Sequence, residues 1–532
     1  IAEDKSMNPG RTKRLFGAVV LVVVSGWVGP GPSAAQSAKP KSVTSIASTG
    51  DQHGELQLAA AQKNPLQLRQ FLRKMPKGAD LHYHLSGGVY AESFIRAAVE
   101  DGLCIDTKQL AFMKCGSEGG VDRAIVPASD AYKNQTLYDQ LIDAFSMRSF
   151  VPFAGVSAHD HFFDSFAKFG GTNPSHKAEW VDEAAARAAS QNEQYLELME
   201  TPDFGIAAKA ASEVGWKGDF KELRDGLLAH ELGKNVKTAT AQLDEIEKKR
   251  RKLEHCGEAN AADACKVDVR FIYQVLRGLP KEIVFAQALQ GFEATTADPE
   301  RIVGVNFVMP EDGFVSMRDY ALQMKMVKYL HSVYPNVHIT LHAGELAYGL
   351  VPPDGLCCHI RLAVEAGAER IGHGVDIMYE DQPHELLKEM AAKHVMVEVN
   401  LTSNDVILGV SGKHHPLPMY QMFHVPVALS TDDEGVSRID LTNEYVRAVE
   451  TYGYKYADLK KLARTGLEHA FLPGKSLWEK PDMFTTAVSG CGKEKLGSAK
   501  PSKSCAEFLN ANEKAAQQWE LEKRFVEFES HF

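Results

Sequence analysis

Eight runs of β-branched and aliphatic residues recur along the chain and predict β-strands. Most of them are apolar at successive positions, as expected of parallel strands that are buried on both faces of a sheet. The predicted strands are Ala79–His84, Tyr195–Met199, Val269–Leu276, Ile302–Val308, His338–His342, Arg370–Gly374, Val395–Val399 and Val425–Thr431.

Amphipathic stretches lie between the predicted strands, with the spacing of apolar residues that is typical of helices. Two of them are Met317–Ser332 and Thr442–Tyr452. Eight strand-then-helix units in one chain predict an α/β fold, a TIM (β/α)8 barrel, whose functional groups lie at the carboxyl ends of the strands. A doubly wound open sheet is the alternative, although no Gly-x-Gly-x-x-Gly turn follows the first strand.

Two stretches are longer than a barrel connection requires, and they predict helical insertions after strands 1 and 2. They span about residues 100–192 and 205–266, and the charged stretch 244–254 predicts a solvated helical hairpin. The expected order of segments is a signal peptide at 1–35, a flexible leader at 36–65, the barrel with its insertions at 66–475, and a C-terminal extension at 476–532 that ends in a helix at 512–528.

The first 35 residues have the layout of a secretory signal peptide, with basic residues, then an apolar run, then small residues. Basic residues up to Arg14 precede the apolar run Leu15–Val28, and a Ser-Ala-Ala sequence ends at Ala35. We therefore expect cleavage near Ala35 and export to the periplasm or the cell exterior. A membrane anchor is the alternative, but the apolar run is shorter than the about 20 residues that span a bilayer, so no stable anchor is expected.

Charge and cysteine content narrow the class of protein further. The chain has 532 residues with 59 basic and 70 acidic side chains, a net charge of −11, which argues against a nucleic-acid binder. Eight cysteines agree with export to an oxidising compartment. Proximity along the chain predicts three bridges and leaves Cys357 and Cys358 unbridged to the other six. Their adjacency is awkward for a mutual bridge and is consistent with two buried thiols. The predicted bridges are Cys104–Cys115, Cys256–Cys265 and Cys491–Cys505.

Two histidines end the first predicted strand. His82 and His84 are two residues apart, so they share one face of the strand and can converge on one metal ion. A second His-x-His pair, His159 and His161, lies in a Phe-rich, helix-like stretch. Two residues apart on a helix, these rings diverge, and packing and capping explain them better than metal binding.

Three further predicted strands carry candidate ligands and acids at their carboxyl ends. The fifth strand ends at His342 and is followed by Glu345, the sixth carries His373, and the eighth precedes Asp432 and Asp433. Each could be a buried polar group of the core. Because a barrel brings these strand ends to one mouth, the residues together predict a metal centre with additional carboxyl groups.

Four segments resemble the motifs of the adenosine/AMP deaminase family, in the metal-dependent hydrolase superfamily, and they occur in the family's order. The resemblance covers about residues 70–470. The predicted signal peptide and the long insertion after strand 1 make the chain similar to the secreted, growth-factor-related branch. The segments are Met75–His84 (MPKGADLHYH), His342–Glu345 (HAGE), Gly372–Gly374 (GHG) and Ser430–Asp433 (STDD).

The resemblance implies an aminohydrolase that converts adenosine and 2′-deoxyadenosine to inosine and ammonia by attack at purine C6. It also implies one Zn²⁺ per chain, and a bound zinc lowers the pKa of water to about 7, which makes hydroxide available. A second metal ion would normally require a bridging Lys at the end of strand 4, and no Lys is found there. The implied ligands are His82, His84, His342 and Asp432.

The resemblance implies roles for the remaining motif residues as well. Glu345 would bond purine N1 and deliver a proton to it, and His373 would orient and help deprotonate the attacking water. Asp433 would accept a hydrogen bond from a protonated or polarised N7. The implied substrate contacts are His84, Ser86, Gly344, Glu345 and Asp433.

Three positions depart from the family pattern and concern the substrate. Met309 lies near the position of a Gly that, in the family, usually contacts purine N3 through its backbone N–H. Ser86 occupies a position where intracellular members often have Asp, and Glu434 one where Pro is common. A related metallohydrolase for another modified purine and a non-catalytic nucleoside- or partner-binding member are therefore the alternatives. AMP is disfavoured as a substrate because no Arg/Lys cluster marks a phosphate pocket. The sequence leaves open whether the protein forms a homodimer.

Overall fold

A computed structural model describes residues 49–116, 124–202 and 204–532. Eight parallel strands form a nearly closed barrel in chain order, which confirms the predicted TIM barrel. The strands are β1 (Gly78–His84), β2 (Glu193–Glu200), β3 (Asp268–Leu276), β4 (Ile302–Val308), β5 (His338–Ala343), β6 (Arg370–His373), β7 (Met396–Val399) and β8 (Val427–Leu429).

The barrel closes just beyond the end of β8, at a residue predicted for the site. The Asp432 N–H donates to the His82 carbonyl at 2.9 Å, and the His84 N–H donates to the Asp432 carbonyl at 3.0 Å. The closing hydrogen bonds therefore fix Asp432 beside the two histidines of β1.

Helices surround the barrel and cover the outer face of its strands. Two precede β1 (Thr49–Ala61, Pro65–Lys74), and two form the C-terminal part (Lys503–Ala511, Glu513–Glu529), close to the predicted terminal helix. Those between β1 and β2 are Leu85–Gly88, Ala91–Glu100, Gln135–Ala144, Ala158–Lys168 and Lys177–Ser190, and those between β2 and β3 are Phe204–Val214, Phe220–Ala229 and Leu232–Leu253. The later ones are Lys281–Ala297, Phe314–Val333, His359–Ala366, Pro383–Lys393, Leu401–Leu408, Leu417–Met422, Glu434–Ser437, Leu441–Tyr452 and Tyr456–His469.

Short 3₁₀ helices occur in the connections. They are Ala128–Lys133, Pro174–His176, Asp263–Lys266, Pro353–Leu356, Ile377–Tyr379 and Gly412–His414. None of the described helices is both long enough and apolar enough to cross a membrane.

The first insertion contains a small sheet that the sequence pattern did not predict. Its antiparallel strands are Cys104–Asp106, Ala111–Met113 and Ile125–Pro127. Strands of three residues are too short to show a period of two, so only the helices of this insertion left a readable pattern.

The prediction of a flexible leader is wrong from residue 49 onward. Thr49–Ala61 is helical, Leu58 is buried in the main core, and Lys460 forms an ion pair with Asp51 at 2.8 Å. The helix buries little apolar surface and is held largely by polar contacts, so its Ala- and Gln-rich sequence resembles that of a loop. The predicted signal peptide at 1–35 lies outside the described residues.

The structure contains the three predicted disulfides, Cys104–Cys115, Cys256–Cys265 and Cys491–Cys505. As predicted, neither Cys357 nor Cys358 bridges to any of these six cysteines, but the interpretation as two buried thiols is wrong, because the two are paired with each other and Cys357 is exposed. They lie at the surface, in the loop between β5 and the helix His359–Ala366, and not in the core.

Candidate active site

A cavity of about 440 Å³ opens at the carboxyl ends of the barrel strands. Six of the predicted site residues line it, together with side chains from the first insertion and from β3 and the segment after β4. The predicted residues are His84, Ser86, His342, Glu345, Asp432 and Asp433, and the additional ones include Phe162, Phe163, Phe166, Gln274 and Met309. His82 and His373 are fully buried beside this group.

Each of the three predicted histidine ligands has its Nδ1 atom within hydrogen-bond distance of a side-chain oxygen on another strand of the barrel. Because that oxygen accepts, Nδ1 carries the proton in the neutral ring and Nε2 carries a lone pair. The partners are Glu398 for His82 at 2.6 Å, Gln274 for His84 at 2.8 Å and Asn306 for His342 at 2.9 Å.

The three Nε2 atoms converge with one carboxylate oxygen. The distance from His342 Nε2 is 3.1 Å to His82 Nε2 and 3.2 Å to His84 Nε2. Asp432 Oδ1 lies 3.5 Å and 3.3 Å from the same two Nε2 atoms. A tetrahedral zinc site with bonds of about 2.0–2.1 Å has ligand atoms about 3.3 Å apart. Lone pairs facing one another at these distances repel unless a cation lies between them, so the residues fit a metal ion.

His373 and Glu345 face each other at the edge of this centre. Glu345 Oε1 lies 3.7 Å from His373 Nε2, and Asp432 Oδ2 lies 3.8 Å from it. No described protein atom accepts a hydrogen bond from or donates one to His373 Nε2. Burial lowers the pKa of His373 to about 3, which makes the ring neutral at physiological pH. Its buried Nε2 atom is thus available to a small ligand.

Two carboxyl groups of the site have raised pKa values. Burial, followed by repulsion from Asp432 and Glu311, raises the pKa of Glu345 well above its usual value. Burial and the negative charge of Asp432 likewise raise the pKa of Asp433, whose Oδ1 atom has no partner among the described residues. A raised pKa favours the protonated form of a carboxyl group, which can donate a proton or a hydrogen bond.

Three residues around the cavity have left-handed backbone conformations that side chains other than glycine rarely adopt. The φ angles are 85° for Met309, 69° for His373 and 63° for Asp432. Such residues cost about 1–3 kcal/mol each and persist where the surrounding structure holds them in place. Their position at strand ends facing one cavity is typical of a functional site.

Gly344 does not line the cavity, and its contact with substrate stays a prediction. Its N–H donates to Glu311 Oε1 at 3.0 Å, and its carbonyl accepts from the Val375 N–H at 2.7 Å, so both polar groups are occupied. The Glu345 N–H donates to Glu311 Oε2 at 2.8 Å. With φ of 75°, Gly344 instead provides the turn that places Glu345 at the cavity.

Glu311 is a buried carboxylate that sequence reasoning did not identify. Besides the two backbone N–H groups, it accepts a hydrogen bond from His359 Nδ1 at 2.5 Å. Burial would raise its pKa, but the His359 contact outweighs burial and lowers the pKa to about 2. An ionised Glu311 thus anchors the turn that carries Glu345.

The second His-x-His pair does not form a metal site. His159 Nε2 contacts Asp312 at 3.2 Å, whereas His161 stacks on Phe150 at 4.2 Å between ring centroids. The rings have no common partner, as the packing interpretation expects. Their helix, Ala158–Lys168, has a different role, because its phenylalanines form one wall of the cavity.

The three departures from the family pattern differ in their relation to the cavity. Ser86 and Met309 line it, and Met309 is 38% exposed. Glu434 is buried and accepts a hydrogen bond from Arg187 Nε at 2.6 Å. It therefore joins the end of β8 to the helix Lys177–Ser190 and does not line the cavity.

Comparisons with known proteins identify similar sequences. An adenosine deaminase from Clostridium perfringens (strain SM101 / Type A) is 34% identical over 162 residues, which are 30% of this chain and 43% of that protein. One from Shewanella loihica is 32% identical over 185 residues, 35% of this chain and 51% of that protein. The chain thus matches about half, or less, of the length of these curated relatives.

A solved structure shows the same fold. An amidohydrolase from Burkhoderia ambifaria, with bound Zn, has a TM-score of 0.50 at 17% identity and covers 76% of this chain and 88% of that one. The family model described as adenosine deaminase matches residues 181–479, more than half of the chain. The chain belongs to the adenosine deaminase family.

Proposed function

We propose that this protein is a zinc-dependent hydrolase that removes the 6-amino group of adenosine and 2′-deoxyadenosine, which yields inosine and ammonia. The observation that carries the proposal is the convergence of three histidine Nε2 atoms and Asp432 Oδ1, with neighbouring atoms 3.1–3.5 Å apart, beside a cavity lined by two carboxyl groups whose pKa is raised. A metal centre next to acids that can protonate a purine suits hydrolysis of its C–N bond.

Zinc matches the donor set, since three imidazoles and one carboxylate suit this ion. His82, His84, His342 and Asp432 would hold it. When bound, zinc supplies a water whose pKa is lowered to about 7, and hence hydroxide at neutral pH.

Glu345 is proposed to activate the purine ring. Attack at C6 pushes electrons onto N1, and a carboxyl group that is protonated at neutral pH can deliver a proton there. The oxygen of water adds to C6, and the amino group then leaves as ammonia. The proton from Glu345 stays on N1 of inosine. Of the two protons of the water, one leaves with the amino group as ammonia and the other returns to Glu345, which restores the acid.

Asp433 is proposed to hold the other side of the purine by donating a hydrogen bond to N7. N7 of neutral adenine has a lone pair and no proton, so it can only accept. The raised pKa of Asp433 makes its carboxyl group a donor. The direction of this hydrogen bond is therefore opposite to the one that the family resemblance alone suggested.

The cavity supports a nucleoside in preference to a nucleotide. Its lining, within the described residues, contains no Lys or Arg, and it contains Glu345, Asp432 and Asp433. A 5′-phosphate would find acidic groups and aromatic rings in place of cationic partners. The phenylalanines of Ala158–Lys168 instead offer an apolar wall to a neutral ligand.

Export of the protein is also proposed. Three disulfides between cysteines 9–14 residues apart support an oxidising compartment, as does the signal-peptide layout of residues 1–35. Amino-terminal sequencing of secreted protein should begin near Gln36. Membership of the growth-factor-related branch stays a prediction.

The function is tested by incubating the purified protein with adenosine, 2′-deoxyadenosine, N6-methyladenosine and AMP, and measuring ammonia together with the product nucleoside. Adenosine and 2′-deoxyadenosine should be converted, and AMP should react at least about tenfold more slowly because its phosphate has no cationic partner. Faster release of methylamine from N6-methyladenosine would favour a modified purine as the substrate. No turnover of any of the four by zinc-loaded protein would refute the proposal.

A further inference from the structure

A chain of buried hydrogen bonds reaches His373 from the side opposite the metal centre. The Leu417 N–H donates to His415 Nδ1 at 3.1 Å, and His415 Nε2 lies 2.9 Å from Asn404 Oδ1. Asn404 Nδ2 lies 2.9 Å from His373 Nδ1. His415, Asn404 and His373 are all buried, so protein groups alone decide the direction of these bonds.

The first bond determines the direction of the others. A backbone N–H can only donate, so His415 Nδ1 has a lone pair and His415 Nε2 carries the proton. His415 therefore donates to Asn404, which must present its oxygen to His415 and its amide nitrogen to His373. Burial and then the charge of Arg447 lower the pKa of His415 to about 4, in agreement with a neutral ring.

The amide nitrogen of Asn404 can only donate a hydrogen bond, so His373 Nδ1 must accept it. The proton of the neutral His373 ring therefore lies on Nε2. Asn400 Nδ2 lies 3.5 Å from the same Nδ1 atom and is a donor as well. His373 Nε2 is the atom without a protein partner beside Glu345 and Asp432, where the attacking water must lie. An Nε2–H there donates a hydrogen bond to the water oxygen and cannot take a proton from it.

We propose that Asn404 and His415 are positioning residues that fix the proton of His373 on Nε2, so that His373 orients the water as a hydrogen-bond donor. The proposal deepens the proposed function, because it assigns the state in which His373 acts there. It replaces the role of proton acceptor that the family resemblance suggested for this histidine. The tautomer itself follows from the hydrogen-bond chain and does not depend on which substrate is used.

The direct test replaces Asn404 with a group of the same shape that accepts where the amide donates. In Asn404→Asp, a carboxylate accepts from His415 Nε2 and also from His373 Nδ1, so the proton of His373 moves to Nδ1. ¹⁵N NMR of histidine-labelled, zinc-loaded protein reports this tautomer, with the His373 signals assigned by their loss in His373→Gln. The wild-type protein should show a protonated Nε2 and Asn404→Asp a protonated Nδ1, with kcat lower by about tenfold or more and KM changed much less.

The matched control makes the same chemical change at a neighbouring position. Asn443 is half-buried, and its amide donates to Thr402 Oγ1 at 3.1 Å without touching His373. Asn443→Asp should leave the tautomer of His373 and kcat unchanged. A protonated Nδ1 in the wild-type protein, or an unchanged tautomer in Asn404→Asp, would overturn the proposal.

Variants of His415 separate positioning from a general need for a well-packed core. His415→Gln retains an N–H donor toward Asn404, whereas His415→Leu does not and leaves the amide free to rotate. The Gln variant should keep the wild-type tautomer and most of kcat, and the Leu variant should lose both. Equal loss in the two variants, with wild-type tautomers in both, would show a merely structural role. A wild-type protein with the expected tautomer but no turnover would contradict the proposed function and leave this assignment intact.

Discussion

Replacing Glu345 with Gln tests the proton that the proposed reaction delivers to the purine. Burial raises the pKa of Glu345, which favours the neutral acid, and Gln matches the neutral acid in size and charge. The amide can still donate a hydrogen bond to N1, but it cannot complete the transfer of a proton. The substitution thus removes one chemical step while the shape of the cavity is kept.

The expected loss follows from the magnitude of general acid catalysis. Such a group contributes about 10²–10⁴-fold, or about 3–5 kcal/mol of transition-state stabilisation, so kcat should fall by that factor. KM should change little, because the hydrogen bond to N1 is kept. The melting temperature should not fall, since the acid and the amide are both neutral and similar in size.

The assay is ammonia release under saturating adenosine, with zinc content and melting temperature measured on the same preparation. Zinc content should equal that of the wild type, because Glu345 is not among the four converging ligands. The alternative role of a helix cap finds no support, since residues 344–352 contain no helix. Near-normal turnover in Glu345→Gln would remove Glu345 from the mechanism.

Three further substitutions test how the site is supported. Glu311→Gln leaves one N–H of the Gly344–Glu345 turn without a good acceptor. We therefore expect kcat to fall and the free energy of unfolding, measured by urea titration, to drop by about 1–3 kcal/mol. Unchanged kcat would refute the anchoring role of Glu311. Met309→Gly relieves the backbone strain of a residue with a φ angle of 85° and widens the cavity. We therefore expect kcat/KM for 2-chloroadenosine to rise relative to that for adenosine. An unchanged ratio would place Met309 away from the purine. The third substitution is His159→Gln. Burial opposes protonation of His159, but its hydrogen bonds with Asp312 and Asp160 raise its pKa. These contacts therefore stabilise the folded protein at low pH, and the stabilisation is lost as the pH rises through the raised pKa. The melting temperature of the wild type should therefore exceed that of His159→Gln at pH 5.5, and this difference should shrink as pH rises; a difference that grows would contradict the sign.

The barrel could be predicted because its strands are local, nearly continuous apolar runs. All eight predicted strands occur, with ends that differ by at most a few residues. The small sheet of the first insertion and the helix Thr49–Ala61 could not be predicted in the same way. The first has strands of three residues, and the second buries too few apolar side chains to show a helical period.

The converging histidines could be predicted because each lies at a strand end, where a barrel brings residues together. Their Nδ1 partners were missed, although each left a signal. Gln274, Asn306 and Glu398 are polar residues inside otherwise apolar strands, and a buried polar side chain needs a partner. The identity of that partner depends on strand register, which the sequence alone does not determine.

Contacts between distant segments were beyond prediction for a different reason. Asn404 lies in the short helix Leu401–Leu408 beyond β7, whereas His415 and Glu311 lie in irregular connections. Their side chains reach His373 and the Glu345 turn only through the tertiary packing of these segments at the barrel mouth. Such loop geometry depends on tertiary packing more than on local sequence.

Zinc titration of metal-free protein tests the central claim most directly. The protein is stripped with a chelator, and adenosine deamination is measured as zinc is added in fractions of an equivalent. Activity should be absent at the start, rise in proportion to bound zinc and reach its maximum at one ion per chain, as expected for a single site formed by His82, His84, His342 and Asp432. Full activity without metal, or a maximum only at two ions per chain, would contradict the account.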